Sequence, residues 1–230
     1  MVETDIQRTY RNPGDFEAVK LLGTLLLEGI CAEDYQKAMY DLGFHLGEIL
    51  QPSLDRHKTY CLAITVEDAD FLAAGLSDFL SQKEYKVYLA CFWNDRKKIA
   101  GRDLAPILNS YYDKGYEQAD EIIVLKAIMA GACVVKTNIS ALIEKVKPSA
   151  IHVVAPVMHI HSRKNLELEF PESISRLFDY TYLAIDARLD EASHTVIPGV
   201  GGNVYEKLGF KNSKDKNAYI PEVLKQRIFA

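Results

Sequence analysis

EIIVLKAIMAGACVVKTNISALIEKVKP, residues Glu121 to Pro148, decides the fold. Ile122, Ile123, Val124 and Leu125 form a continuous apolar run rich in β-branched side chains, the pattern of a strand covered on both faces in a parallel sheet. A tight turn is expected next, with Gly131 punctuating the chain. From Cys133 to Val146 the apolar positions Val134, Val135, Ile139, Leu142, Ile143 and Val146 recur at helical spacing, and Pro148 stops the helix. A second apolar run, Ile151 to Pro156, follows at once, so the unit is strand, helix, strand with a right-handed crossover. Ligands of such sheets sit beyond the carboxyl ends of the strands, which predicts the Lys126 to Gly131 turn at the site.

Outward from this unit, further strands are expected at Tyr60 to Val66, Lys86 to Phe92 and Tyr180 to Ile185, giving an α/β fold with a parallel central sheet and helices on both faces. Helices are expected at Phe16 to Ile30, Glu33 to Leu50, Leu72 to Leu80, Glu172 to Phe178 and Pro221 to Phe229, the last with Pro at its start, and Ser110 to Gly115 reads as closing an irregular region before the central unit. A single domain of 1–230 is expected, with N-terminal helices over 1–55, the core over 56–190, and a glycine-rich loop and hood-like C-terminal segment over 191–230. The first helix has more apolar surface than one face needs. Val19, Leu22 and Leu26 lie on one stripe and Leu21, Leu25 and Ile30 near another, which predicts a homo-oligomer or a protein complex docking there.

The residues are 48% hydrophobic and 26% charged, ordinary for a globular protein. A formal charge of −5 argues against broad, direct nucleic-acid binding. Arg96, Lys97 and Lys98 after a strand, and Lys211, Lys214 and Lys216 in a polar excursion, read as solvated surface. Cys31, Cys61, Cys91 and Cys133 form no C-x-x-C pair, so reduced thiols are expected. The opening residues are acidic and polar and no apolar run approaches membrane-spanning length, so a soluble cytoplasmic protein is expected, with no membrane association. His159 and His161 would share a face of a continuing strand, as metal ligands do, but no third ligand follows at suitable spacing and no metal is expected. Glu67, Asp68 and Asp70 gather where a strand meets a helix, read either as capping acids or as binders of a ribose or a metal.

Read together, these segments resemble the type I phosphoribosyltransferases, and the uracil phosphoribosyltransferases most closely. The resemblance is carried by LAAGL at Leu72 to Leu76, similar to L-R-A-G-L of the family, by FWND at Phe92 to Asp95, where the family has Y-R-N-E, and by the central strand-turn-helix in place of V-D-P-M-L-A-T-G-G. The late block is the most specific: Ile185, Asp186 and Leu189 followed by IPGVGG at Ile197 to Gly202 looks like I-D-x-x-L-N and I-P-G-L-G-D, whose backbone holds the uracil ring in the family. The resemblance implies ligand-binding roles for Lys126, Ala127, Met129, Gly131, Ala132, Trp93, Asn94, Ile197, Gly199 and Gly201, with Asp68, Asp70 and Lys126 as candidate catalytic residues.

The chemistry of that family displaces pyrophosphate from phosphoribosyl pyrophosphate, which demands cations and amides around several developing charges. In the family a carboxylate near the ribose hydroxyls, a T-G-G turn on the 5′-phosphate and arginines on the pyrophosphate meet this demand, and this sequence departs at every one of these. Lys126 stands where the family has an acid, Gly131, Ala132 and Cys133 at T-G-G, Ala73 and Trp93 at two arginines, and Gly202 and Tyr205 at the acids of the uracil loop. Losing one such interaction costs about 3 kcal/mol of transition-state stabilisation. A protein that has lost ordinary phosphoribosyl transfer is therefore expected, binding a nucleotide or nucleobase or serving as a regulatory or effector component of a larger assembly. Relatives with eroded loops resemble components of bacterial antiphage and retron systems. The alternative is an active enzyme on a nucleotide or nucleobase, a nucleosidase (N-glycosidase) or altered phosphoribosyltransferase. No cofactor is expected, magnesium entering only with phosphoribosyl pyrophosphate.

Overall fold

A computed structural model describes residues 8–99, 102–190 and 195–228. Residues 1–7, 191–194 and Phe229 of the anticipated segments lie outside the described residues. A short strand, β1 (Arg8–Tyr10), leads into helices α1 (Phe16–Leu25) and α2 (Ala32–Leu50). Strand β2 (Thr59–Thr65), a π-helical turn over Ala69–Ala73 with helix α3 (Ala74–Gln82), and strand β3 (Lys86–Asn94) follow. A hairpin of β4 (Lys97–Ile99) and β5 (Arg102–Leu104) precedes β6 (Ile107–Tyr112). The unit that opened the reading contains β7 (Glu121–Leu125), a two-residue strand β8 (Ile128–Met129), α4 (Cys133–Val146) and β9 (Ile151–His159). Then come α5 (Ser162–Leu168), α6 (Glu172–Ser175), β10 (Phe178–Asp186), the pair β11 (Arg188–Asp190) and β12 (Thr195–Ile197), and the C-terminal helices α7 (Val204–Lys207), α8 (Ser213–Ala218) and α9 (Glu222–Ile228).

The central sheet runs β1-β10-β9-β7-β2-β3-β6, with β8 beside β9. The pairs β10–β9, β9–β7, β7–β2, β2–β3 and β8–β9 are parallel, and the outer strands β1 and β6 are antiparallel. All five anticipated strands are present in the parallel part. Their side chains divide strictly between two cores: Tyr60, Leu62 and Ile64 of β2 pack with α1, α2 and α3, whereas Cys61 and Ala63 pack with Ile139 and Leu142 of α4. Continuous apolar runs in the sequence are the direct result of this two-sided burial.

Three local expectations are corrected. The turn after β7 is not tight, because Ile128 and Met129 re-enter the sheet beside Val157 and Met158. The stretch Ser110 to Gly115, read as irregular, contributes to an antiparallel edge strand whose Tyr111 and Tyr112 oppose Cys91 and Ala90. Helix α1 does not leave a wet stripe along its length: Leu22 and Leu25 are wholly buried and Leu21 nearly so, between α2 and the loop at Gly201, and the exposed apolar residues are Phe16 at its start and Leu26 and Leu27 just past its end. Glu at Leu22 would enter this chain's own core. The glycine of the LAAGL motif has a packing reason, since a Cβ on Gly75 would lie 2.0 Å from the Tyr40 carbonyl oxygen of α2.

Candidate functional site

Strand register brings the polar residues together. Ala63 of β2 pairs with Val124 of β7, and Thr65 of β2 with Phe92 of β3. Lys126, just past β7, therefore stands level with Thr65, and Glu67 and Asp68 just past β2 lie between it and Asn94 at the end of β3. At this edge a cavity of ≈ 430 Å³ opens. Its walls include Glu67, Asn94, Lys126, Gly131 and Cys133, with Arg96 and Lys97 on the hairpin side. Such a volume suits a small ligand.

The floor is a buried charge network. Lys126 Nζ donates to Asp68 Oδ2 at 2.7 Å and to Glu67 Oε1 at 3.1 Å. Asp68 also accepts from Thr65 Oγ1 (2.6 Å) and from the Ala127 backbone N–H (3.2 Å). Lys216 enters from α8, its Nζ donating to the Asn94 carbonyl at 3.1 Å and lying 3.3 Å from Glu67 Oε2. Burial works against the Lys126 charge, but the two carboxylates outweigh it and hold the ammonium above its ordinary value. Burial likewise pushes Glu67 up, and the ammonium groups of Lys126 and Lys216 overcome it, bringing the carboxyl down to about 2. Asp68 moves the other way, raised by burial and by the neighbouring Glu67 charge against the pull of Lys126.

The remaining candidates separate into those that reach the cavity and those that do not. Asn94 lines it, its side-chain amide donating to the Ala105 carbonyl (3.2 Å) and to Asn138 Oδ1 of α4 (2.9 Å). Trp93 points into the opposite core, its indole N–H bonded to the Tyr219 carbonyl at 2.9 Å. Asp70 is neither catalytic in position nor a cap of its own helix: it accepts from Tyr219 Oη and from the backbone N–H groups of Glu222 and Val223, holding the start of α9. Ala127 and Met129 are buried beneath the loop, and Ala132 sits at the start of α4, so the loop meets the cavity through Ile128, Ala130 and Gly131.

In the late glycine-rich loop, the Gly199 N–H donates to Asp186 Oδ2 at 2.8 Å, and Arg8 grips both oxygens of Asp186 at 2.7–2.8 Å. Gly201 has φ +83°, and a Cβ there would meet the Leu25 carbonyl oxygen at 2.1 Å. Gly199 and Gly201 thus anchor the loop to β10 and α1, and Ile197 pairs with Arg188 of β11, while the residues after them, Gly202, Asn203 and Tyr205, face the cavity. Three residues read as solvated surface line the cavity: Arg96, Lys97 and Lys216. Arg96 lies at the cavity lip, and Lys216 is only 6% exposed. Nothing local in the sequence marked Lys216, since its polar neighbours are those of any exposed loop. His159 ends β9 with its ring centroid 5.4 Å from that of His161. Among the described residues no group of three or more His, Cys, Asp or Glu side chains converges as metal ligands, and no helix is long and apolar enough to cross a membrane.

No protein-family model matches the chain, and no curated protein matches it either. Solved structures do. The chain is similar to the AQ2163 protein from Aquifex aeolicus, with 16% identity and a TM-score of 0.64 over 84% of this chain and 93% of that one. It is also similar to the adenine phosphoribosyl transferase from Trypanosoma brucei, solved with AMP, pyrophosphate and ribose-5-phosphate, with 11% identity and a TM-score of 0.50 over 94% of each chain. The fold is phosphoribosyltransferase-like. Identity this low carries the fold and leaves chemistry to be argued from the side chains.

Proposed function

We propose that this phosphoribosyltransferase-like protein binds a nucleotide or nucleobase ligand in the cavity at the carboxyl edge of its sheet without carrying out phosphoribosyl transfer. The observation that carries this reading is the pairing of Lys126 with both Glu67 and Asp68. Carboxylates at that edge are the groups that would hold ribose hydroxyls or a magnesium ion, and here each already neutralises an ammonium group. The donor set therefore does not suit a divalent cation, which demands free, hard oxygen ligands. The loop Ala130–Gly131–Ala132 offers backbone but no hydroxyl, and among the described residues the exposed cations at the lip reduce to Arg96 and Lys97, the latter paired with Asp95 at 3.0 Å. The acids that a nucleosidase reading would use are engaged too, Asp70 with Tyr219 and α9 and Asp68 with Lys126.

Isothermal titration tests the proposal. Phosphoribosyl pyrophosphate with magnesium is expected to bind no tighter than about millimolar, corresponding to some 4 kcal/mol, with no pyrophosphate released on adding uracil or adenine, while UMP or AMP binds more tightly than phosphoribosyl pyrophosphate. Micromolar binding of phosphoribosyl pyrophosphate together with pyrophosphate release overturns it. A scaffold that binds without turnover suits a regulatory or effector component of an assembly, of the kind found in bacterial antiphage systems.

A further inference from the structure

The polar excursion Lys211 to Ala218 is built unlike the rest of the chain. Helix α8 buries one side chain, and that side chain is a lysine. The neighbours Lys214, Asp215 and Ala218 are exposed, so no apolar contact of the helix holds it down. Its two ends are pinned, by contrast: the rings of Phe210 and Tyr219 meet at 5.1 Å between centroids, and Tyr219 is tied to Trp93 and Asp70. The excursion is thus a flap hinged at an aromatic base, with the Lys216 ammonium at its tip.

Where the flap seats, hydrogen bonding is incomplete. Three buried acceptor oxygens lack a hydrogen-bond partner there: Glu67 Oε2, Asn94 Oδ1, and Asn217 Oδ1 on the flap itself. The contact of Lys216 with Glu67 Oε2 is an ion pair at 3.3 Å without hydrogen-bond alignment. Buried polar groups are ordinarily satisfied, so the unmet Glu67 Oε2 makes the Lys216 contact one that leaves hydrogen-bonding capacity unused. A segment with few buried apolar contacts opens locally at a free energy well below that of global unfolding.

We propose that residues Lys211 to Ala218 form a gate over the cavity, latched by Lys216 on Glu67 and the Asn94 carbonyl, and that a phosphate-bearing ligand enters by taking Lys216 from Glu67. The proposal rests on the reading of the cavity as a ligand site, because Ser213 and Lys216 line the same space as Lys126 and Gly131. The flap carries Lys211, Lys214 and Lys216 against the single acid Asp215, so it brings net positive charge to an incoming anion.

Hydrogen exchange of the free protein, followed by mass spectrometry, tests the latch without any ligand. In the wild type, residues 213–218 are expected to exchange far faster than α4 and β9. In Lys216→Met their exchange rises by roughly ten-fold, the factor set by one charge-assisted contact, while α4 and β9 are unchanged and Lys216→Arg restores the wild-type rate. Flap exchange only through global unfolding in the wild type, or equal flap exchange in wild type and Lys216→Met, overturns the latch. Calorimetric titration with AMP on the same proteins separates the two ideas. If AMP binds and protects residues 213–218 from exchange equally before and after removal of the Lys216 ammonium, the exchange of partners at Lys216 is wrong although the cavity reading stands. If AMP fails to bind while the flap loosens in Lys216→Met, the ligand reading falls and the latch stands.

Discussion

Strand β7 carries a buried charge at each of its ends, and the two ends have opposite architectures. At the amino end Glu121 bonds to Lys58 and to His152 Nε2, the latter at 2.8 Å, and the Tyr60 ring packs near His152. At the carboxyl end Lys126 bonds to Glu67 and Asp68, and Lys216 arrives from the distant flap. The amino-end cluster is reached by Lys58, whose side chain is 37% exposed, so solvent shares the charge. In the carboxyl-end cluster both lysines are largely covered, Lys126 with 13% of its side chain exposed, and Asp68 is wholly buried, yet the cluster borders a cavity. The same device, a charge satisfied by opposite charge at a strand end, closes one edge of the sheet and leaves the other as a chamber. Burial of ions is costly everywhere, so an ion network beside an open cavity needs a reason beyond stability.

The comparison breaks most readily at Lys126. Lys126→Met leaves buried Asp68 without a counter-charge and Glu67 with Lys216 alone, and we expect a loss of about 3–5 kcal/mol in urea unfolding; a loss below about 1 kcal/mol would mean that the network is solvated in solution. A smaller effect is expected at the other end, where Glu121→Gln keeps the shape but removes the charge facing His152 and Lys58, costing about 1–3 kcal/mol. If the two substitutions prove equal, the ends do not differ in burial as described.

The smallest effect is one of pH. The Glu67 carboxyl is held at about 2, below its ordinary value near 4.3 in an unfolded chain. Its contribution to stability is therefore complete above the ordinary value and is lost as pH falls toward about 2, because the unfolded chain takes up the proton first. Urea midpoints measured between roughly pH 5 and pH 3, the first part of that loss, should fall less steeply in Glu67→Gln than in wild type. Parallel slopes would remove Glu67 from the network.

Much of the fold was legible in the residues alone. Runs such as Ile122 to Leu125 and Ile151 to Ala155, short and rich in β-branched residues, read as strands with both faces covered, and the helical spacing of Val135, Ile139, Leu142 and Val146 identified the crossover helix. The same local rules located the acids after β2 and the lysine after β7, since strand ends are where apolar periodicity stops. Pattern could not say which of these polar residues meet. Trp93 and Asn94 are neighbours in sequence, yet alternation along β3 sends one into the core and the other to the cavity. Asp70 looked like a partner of Asp68 and instead caps a helix at the far end of the chain. Lys216 had every local sign of an exposed residue, and the fold buries it against Glu67. Local sequence determines which segments are strands and helices because backbone periodicity and burial are properties of neighbours in the chain. Which charges face one another is decided by strand register and by where a returning segment lands, and only the tertiary structure holds that information.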